Sequence, residues 1–320
     1  MTGSHIRIEG FDVFDTVLTR IISLPQAAFV HLGRRLTEKY DPEFSPEFFA
    51  AQRRLAEVRC MQNLGHSTSI YDIYDELAST LLLSDELRSK ILVDEVDCEK
   101  EITYVVPEVR SLLAEARQKG RKVVFISDMY LAEPLLRDLL TYHNVLAEQD
   151  SVYVSCDHGV SKSSGELYSY VLDKEGIKPS QLLFRGNNPH ADVFSARRSR
   201  IAAVHHAVAN PNRFEQALER HSGRTGGLAA LFAGASRKAR LTVSADSPHR
   251  ECLREVAAGV AAPMLVSFVI WVLRKAEALG LTRLYFLSRD GQILLEIANR
   301  MKDKLSVNIE CRYLYASRLS

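Results

Sequence analysis

Short runs of β-forming apolar residues recur along the chain, each closing on a polar residue, and longer stretches of helical period separate them. Ile6 and Ile8 lead into Phe11-Asp12-Val13-Phe14-Asp15-Thr16-Val17-Leu18. A second run, Val123-Val124-Phe125-Ile126-Ser127, follows the basic pair Arg121-Lys122, and others occupy 151–155, 182–185 and 201–204. Helical patterns fill 133–140, 166–174 and 191–198. This alternation predicts an α/β fold, a mainly parallel sheet covered by helices on both faces, with its strand ends converging on one crevice.

The segment 21–105 breaks the alternation, because its periodicity is helical throughout, over 26–40, 46–62, 70–77 and 87–102. A helical insertion after the first strand is therefore expected, with the α/β core made of 1–20 and 106–215. After Pro211 the pattern weakens. Gly223, Gly226-Gly227, Gly234 and the turn Ser244-Ala245-Asp246-Ser247-Pro248 suggest a linker over 216–247 with one short helix near 227–239. A second α/β unit follows over 248–320: a long helix, the strand at 283–287, another helix, and a strand at 309–315. Only two strands are evident there, so further chain, the first domain or a partner is expected to complete it.

Composition narrows the function. With 41 basic and 40 acidic residues and a net charge of +1, nothing in the global balance calls for a nucleic-acid partner. Five scattered cysteines, Cys60, Cys98, Cys156, Cys252 and Cys311, fit a reduced, cytoplasmic protein, and residues 1–10 lack the order of a secretory signal. The apolar run 256–272 is short for a span and contains Gly259, Pro263 and Ser267, so a buried helix is expected and no membrane span.

Candidate chemistry gathers where the strands are predicted to end. A carboxylate there, such as Asp12 with Thr16 close behind, has the layout of a nucleophile, although an Asp-Thr turn closing a surface strand has the same sequence. Ser127 could donate to a bound phosphate. Lys162, in Ser161-Lys162-Ser163-Ser164-Gly165 ahead of a helix, could neutralise nucleophile and substrate. The run 182–185 breaks into a polar loop that ends at Asp192. In the insertion, Arg53, Arg54 and Arg59 could reach an anionic substrate from above or pair with neighbours such as Glu57. The later Ser288-Arg289-Asp290-Gly291 stands where phosphate or sugar-nucleotide groups are held, or simply caps a helix.

In this order the motifs resemble those of the haloacid-dehalogenase superfamily, over nearly the whole chain. Phe-Asp-x-Phe-Asp-Thr at 11–16, Ser-Asp-Met-Tyr-Leu at 127–131 and Ser-Arg-Asp-Gly at 288–291 are most similar to a group of predicted hydrolases often encoded with surface-polysaccharide glycosyltransferases. The resemblance implies a Rossmann-like core, a helical cap at 21–105, and phosphatase action on a phosphorylated sugar or similar small metabolite through an aspartyl-phosphate on Asp12. It further implies roles for Thr16, Ser127 and Lys162 around the nucleophile, Mg²⁺ at Asp12, Asn187 and Asp192, and substrate contacts from Arg53, Arg54 and Asn188.

Two positions depart from the phosphatase pattern. Phe14 stands where those enzymes place a second aspartate for proton transfer, leaving Asp15 and Asp128 as substitute acid/base candidates. Asn187 replaces a metal-binding acid, so Mg²⁺ is expected to bind weakly. The same departures occur in the superfamily's metal-independent carbon-halogen hydrolases, which gives a dehalogenase-like alternative. A third alternative is a degenerate domain serving as scaffold in a polysaccharide-synthesis protein.

Overall fold

The computed structural model describes residues 6–40 and 44–316. The chain divides into two compact units, Met1–Thr242 and Val243–Ser320. Along the first unit run β1 (Ile8–Phe11), β2 (Leu18–Arg20), α1 (Pro25–Tyr40), α2 (Pro46–Leu64), α3 (Ile70–Leu81), α4 (Asp85–Ile102), β3 (Thr103–Val105) and α5 (Pro107–Gln118). Then come β4 (Lys122–Ser127), α6 (Glu133–Tyr142), β5 (Ser151–Val154), α7 (Ser155–His158), α8 (Glu166–Glu175), β6 (Leu182–Gly186), α9 (Ser195–Arg198), β7 (Ala202–His205), α10 (Arg213–Glu219) and α11 (Leu228–Thr242).

The central sheet has the order β5-β4-β1-β6-β7 and every pairing is parallel, so all strand ends lie along one edge. The β1 strand is central, with Phe11 level with Phe125 on one side and Arg185 on the other. Apolar residues at successive positions of β4 explain why both faces are covered. Val123 and Phe125 pack against Leu136, Leu139 and Leu140 of α6, whereas Val124 and Ile126 pack with Leu167, Tyr168 and Val171 of α8. This is the mainly parallel, Rossmann-like α/β core that the alternation of strand and helix predicts.

Helices α1 to α4 form the insertion. Its two crossings, β2 and β3, pair antiparallel with Arg20 opposite Thr103, so entry and exit are held together. Inside it, Leu32, Leu36, Phe49, Ile73, Tyr74 and Leu77 form a buried cluster. Serine caps start the helices where the sequence allows: Ser45 accepts from Phe48 N, and Ser69 forms a reciprocal box with Asp72.

The stretch expected as a linker is not one. Helices α10 and α11 fall within the first unit, where Arg240 pairs with Glu215 at 2.9 Å and donates to the Val208 and Asn210 carbonyls. Arg237, only 2% exposed, donates to the backbone carbonyls of Ala209 and Arg20. Glycine signals looseness in a sequence, but Gly234 serves close approach: a Cβ built there would lie 1.8 Å from the Ile21 carbonyl oxygen. Helix α11 thus lies against the β2 crossing.

The second unit comprises α12 (Pro248–Val256), α13 (Ala262–Ala278), β8 (Arg283–Leu287), α14 (Gly291–Lys304) and β9 (Glu310–Leu314), with β8 and β9 parallel. Val269, Leu273, Phe286 and Ala298 make its small core. One expectation fails here. The helical run Pro248–Ala278 is long and apolar enough to cross a membrane by length and composition, and only 17% of its most apolar window is buried. Two strands and one further helix offer too little area to cover it, so Met264, Phe268 and Trp271 stay exposed.

Replacing Gly234 by alanine should move α11 off the β2 crossing and destabilise the first unit by about 1–3 kcal/mol. Gly223→Ala, where an added Cβ meets nothing within 4 Å, should change stability by less than about 0.5 kcal/mol. Urea unfolding of both variants checks the contrast.

Candidate active site

Asp12 follows the last residue of β1, and its backbone N–H donates to the Arg185 carbonyl at 2.9 Å, fixing it between β1 and β6. Its Oδ2 accepts from the Thr16 hydroxyl at 3.0 Å and its Oδ1 from Lys162 Nζ at 2.5 Å. Lys162 Nζ also lies 2.7 Å from Asp192 Oδ1, so one ammonium bridges two carboxylates. All four side chains are buried.

Local sequence explains each placement. Thr16 turns back on Asp12 because Val17 and Leu18 both donate to the Val13 carbonyl in a tight turn. Lys162 is held at its own backbone N–H, which donates to both carboxylate oxygens of Asp128 at 2.9 and 3.1 Å. Asp192 sits in the helical turn Pro189–Phe194 and accepts from Asn188 N at 2.9 Å. Gly186 is required opposite it, since a Cβ there would meet Asp192 Oδ2 at 2.3 Å. Ser127 ends β4 beside β1 and is buried, and its hydroxyl makes no hydrogen bond to protein among the described residues.

The charges do not balance. Burial pushes the Asp12 carboxyl up to about 7; Lys162 opposes that rise and Asp192 adds to it. Burial works against the Lys162 charge too, but Asp12, Asp192 and Asp128 together outweigh it and hold the ammonium above its ordinary range. One cation facing two ionised carboxylates leaves a surplus negative charge in a dry site, which favours a proton or a cation there.

Other sequence candidates have different work. Asp15, in a left-handed turn at φ 56°, accepts from Thr19 at 2.7 Å and pairs with Arg237 at 3.4 Å, so it braces the turn. Asp128 is committed to the Lys162 backbone. Arg53 does not reach a substrate: it is fully buried, paired with Glu95 through two bonds of 2.8 and 2.7 Å and with Glu57, among Phe29, Tyr74 and Tyr130. Its planar fork is used up inside the insertion. Asn188 is exposed, and its side-chain oxygen caps His190 N and Ala191 N. Arg54 pairs with Glu57 at 2.5 Å and lines a cavity.

That cavity, about 370 Å³, is also lined by Phe14, Arg20, His66, Asp128 and Tyr130. Phe14, two residues beyond Asp12, brings the turn that follows β1 to the wall of this cavity. Arg20 was not legible as a site residue. Its guanidinium stacks on the Phe14 ring at 4.5 Å, which no short motif announces.

Among the described residues no group of three or more His, Cys, Asp or Glu is arranged to hold a metal. The set fits a divalent cation with two carboxylates and an amide. Asp192 Oδ1 is sealed from solvent with the Lys162 ammonium 2.7 Å away, and Asn187 has its Nδ2 tied to Asn210 Oδ1 at 2.8 Å, leaving its amide oxygen without a donor among the described residues. Mg²⁺ would be held by Asp12 and Asn187 with Asp192 in support, less strongly than by three carboxylates.

The family model for a haloacid dehalogenase-like hydrolase matches residues 11–200, and the chain belongs to that family. A phosphoserine phosphatase from Thermus thermophilus is 29% identical over 98 residues, which are 31% of this chain. The match spans about two-fifths, 39%, of that relative's length. Among solved structures, a 2-haloacid dehalogenase from Pseudomonas syringae matches with a TM-score of 0.50 at 16% identity, over 65% of this chain and 89% of that one. A family enzyme from Bacteroides thetaiotaomicron, crystallised with magnesium and inorganic phosphate, matches with a TM-score of 0.42 at 13% identity, over 62% of this chain and 93% of that one. At these identities the likeness is one of fold.

The raised Asp12 value carries a sign. In the unfolded chain this carboxyl ionises near 3.8 and in the fold near 7, so the protonated form's contribution is complete below about pH 4 and is lost as pH rises towards 7. Asp12→Asn, which never ionises, should therefore raise the melting temperature more at pH 8 than at pH 4. Thermal unfolding at the two values measures this; an equal or smaller gain at pH 8 would contradict the surplus charge.

Proposed function

We propose that the protein is a phosphohydrolase acting on a small phosphorylated metabolite, such as a sugar phosphate, with Asp12 as nucleophile. The observation that carries this reading is the buried Asp12–Lys162–Asp192 bridge at the strand ends, with Thr16 on the second Asp12 oxygen. Lys162 and Thr16 orient the carboxylate. An Asp12 oxygen bonds to phosphorus as the bond to the leaving oxygen breaks, and water then cleaves the aspartyl-phosphate. The Ser127 hydroxyl and the Lys162 ammonium face the transferring oxygens. Bound Mg²⁺ would offset the surplus negative charge and polarise the phosphoryl group.

Phe14 transfers no proton, so the reading favours substrates whose leaving group departs without protonation, such as acyl phosphates. The same aromatic residue, which lines the cavity with Arg20 and Asp128, supports a second reading in which Asp12 attacks carbon in a halogenated acid and halide leaves, without metal. A place in surface-polysaccharide assembly belongs to the first reading, supported by Ser-Asp-Met-Tyr-Leu and Ser-Arg-Asp-Gly. A reducing cytoplasmic setting fits five unpaired cysteines.

A panel of sugar phosphates, acyl phosphates, nucleotides and 2-halo acids, assayed with and without Mg²⁺, separates the readings. Phosphate release that Mg²⁺ enhances and Asp12→Asn abolishes is expected. Halide release without metal would favour the second reading, and no turnover of any compound by the folded protein would leave a scaffold.

Phe14→Asp should raise hydrolysis of esters with poor leaving groups by up to ~10²-fold and leave good leaving groups nearly unchanged. Two esters of matched shape and different leaving-group basicity, assayed in both proteins, give the comparison.

A further inference from the structure

Arg20 closes β2 where the chain crosses into the helical insertion. Its side chain is 14% exposed, and of its five N–H groups only that of Nε has a protein acceptor, Glu99 Oε1 at 2.6 Å. The two terminal nitrogens, Nη1 and Nη2, make no hydrogen bond to protein among the described residues, although the guanidinium lines the cavity beside Phe14. Neither nitrogen is sealed from solvent, so both donors are open to an acceptor that enters the cavity.

The group is also rigidly presented. The Phe14 ring lies beneath it, Glu99 fixes its Nε edge, and Arg237 donates to its backbone carbonyl at 3.0 Å. The free edge is the planar Nη1/Nη2 fork, whose geometry matches a carboxylate in a bidentate pair. Glu57 and Asp128 line the same cavity, so a singly charged group is tolerated better there than a doubly charged one.

We propose that Arg20 is a specificity residue that receives a carboxylate carried by the substrate, separate from the group that Asp12 attacks. The substrate class then narrows to small phosphorylated acids. The assignment rests on the phosphohydrolase reading, because the Asp12 and Lys162 site is taken to hold the phosphoryl end.

Phosphonoacetate and its neutral isostere phosphonoacetamide test this by titration calorimetry with the full chain, since neither is hydrolysed at its carbon–phosphorus bond. Wild type should bind phosphonoacetate about tenfold or more tightly than the amide. Arg20→Gln should abolish the preference. Because that change leaves Glu99 buried and unpaired, the double variant Arg20→Gln/Glu99→Gln is measured alongside and should behave the same. Arg20→Lys, which keeps the cation and loses the fork, should retain part of the preference.

Equal affinities in wild type, binding of neither compound, or a preference that survives in the glutamine variants would overturn the assignment. Turnover is scored separately. A preference that depends on Arg20 in a protein that releases no phosphate would keep the subsite and sink the hydrolase reading, and phosphate release with no such preference would do the reverse.

Discussion

A single ammonium shared between two buried carboxylates is the constraint on which the site depends. Lys162 can stand between Asp12 and Asp192 only because three strand ends meet there: β1 delivers Asp12, the residue after β4 grips the Lys162 backbone, and the turn after β6 delivers Asp192. Removing the Lys162 ammonium would leave two carboxylates in a dry interior without their partner, a situation that typically costs several kcal/mol. The sheet order therefore follows the chemistry closely. With β1 central, both neighbouring strands end within reach of the same carboxylate.

A second polar assembly, centred on the crossing into the helical insertion, shapes what can approach. Arg20 and Thr19 lie on β2; Glu99 comes from α4, and Arg237 from α11 binds Asp15 and the Arg20 carbonyl. Lys238 adds a contact over the Tyr104 ring on the returning strand, at 5.0 Å. One helix thus touches both crossings. The cavity beside Phe14 is consequently built from residues whose positions are set on core, insertion and α11 together.

The sequence made the strand-end residues legible and hid the ones held by long-range packing. Asp12, Thr16, Lys162 and Asp192 sit next to strands whose unbroken apolar runs announce burial, so position along the chain nearly equals position in space. Arg53 shows the opposite case. Its helix pattern is clear, yet whether an arginine points to a ligand or into a ring of Glu57, Glu95 and aromatics depends on three other helices. Asn188 shows a related ambiguity, since a capping oxygen and a ligand-binding one look alike in sequence. Gly234 and its neighbours read as a loose connector because glycine marks both freedom and contact. The exposed run Pro248–Ala278 could not be judged from hydropathy, which reports what a helix prefers and not how much surface its own unit can supply to cover it.

Arg237 lies 222 positions beyond Asp15 and 217 beyond Arg20, both of which it holds. During synthesis the turn after β1 is among the first segments to emerge, and the helix that steadies it is among the last of its unit. Closing so long a loop is entropically slow compared with forming the local helices. The nascent chain can therefore assemble its helical insertion before the turn after β1 is braced. The Asp12 carboxylate acquires its final surroundings only once residues up to Thr242 have left the ribosome, a temporal order imposed by where one arginine stands in the polypeptide.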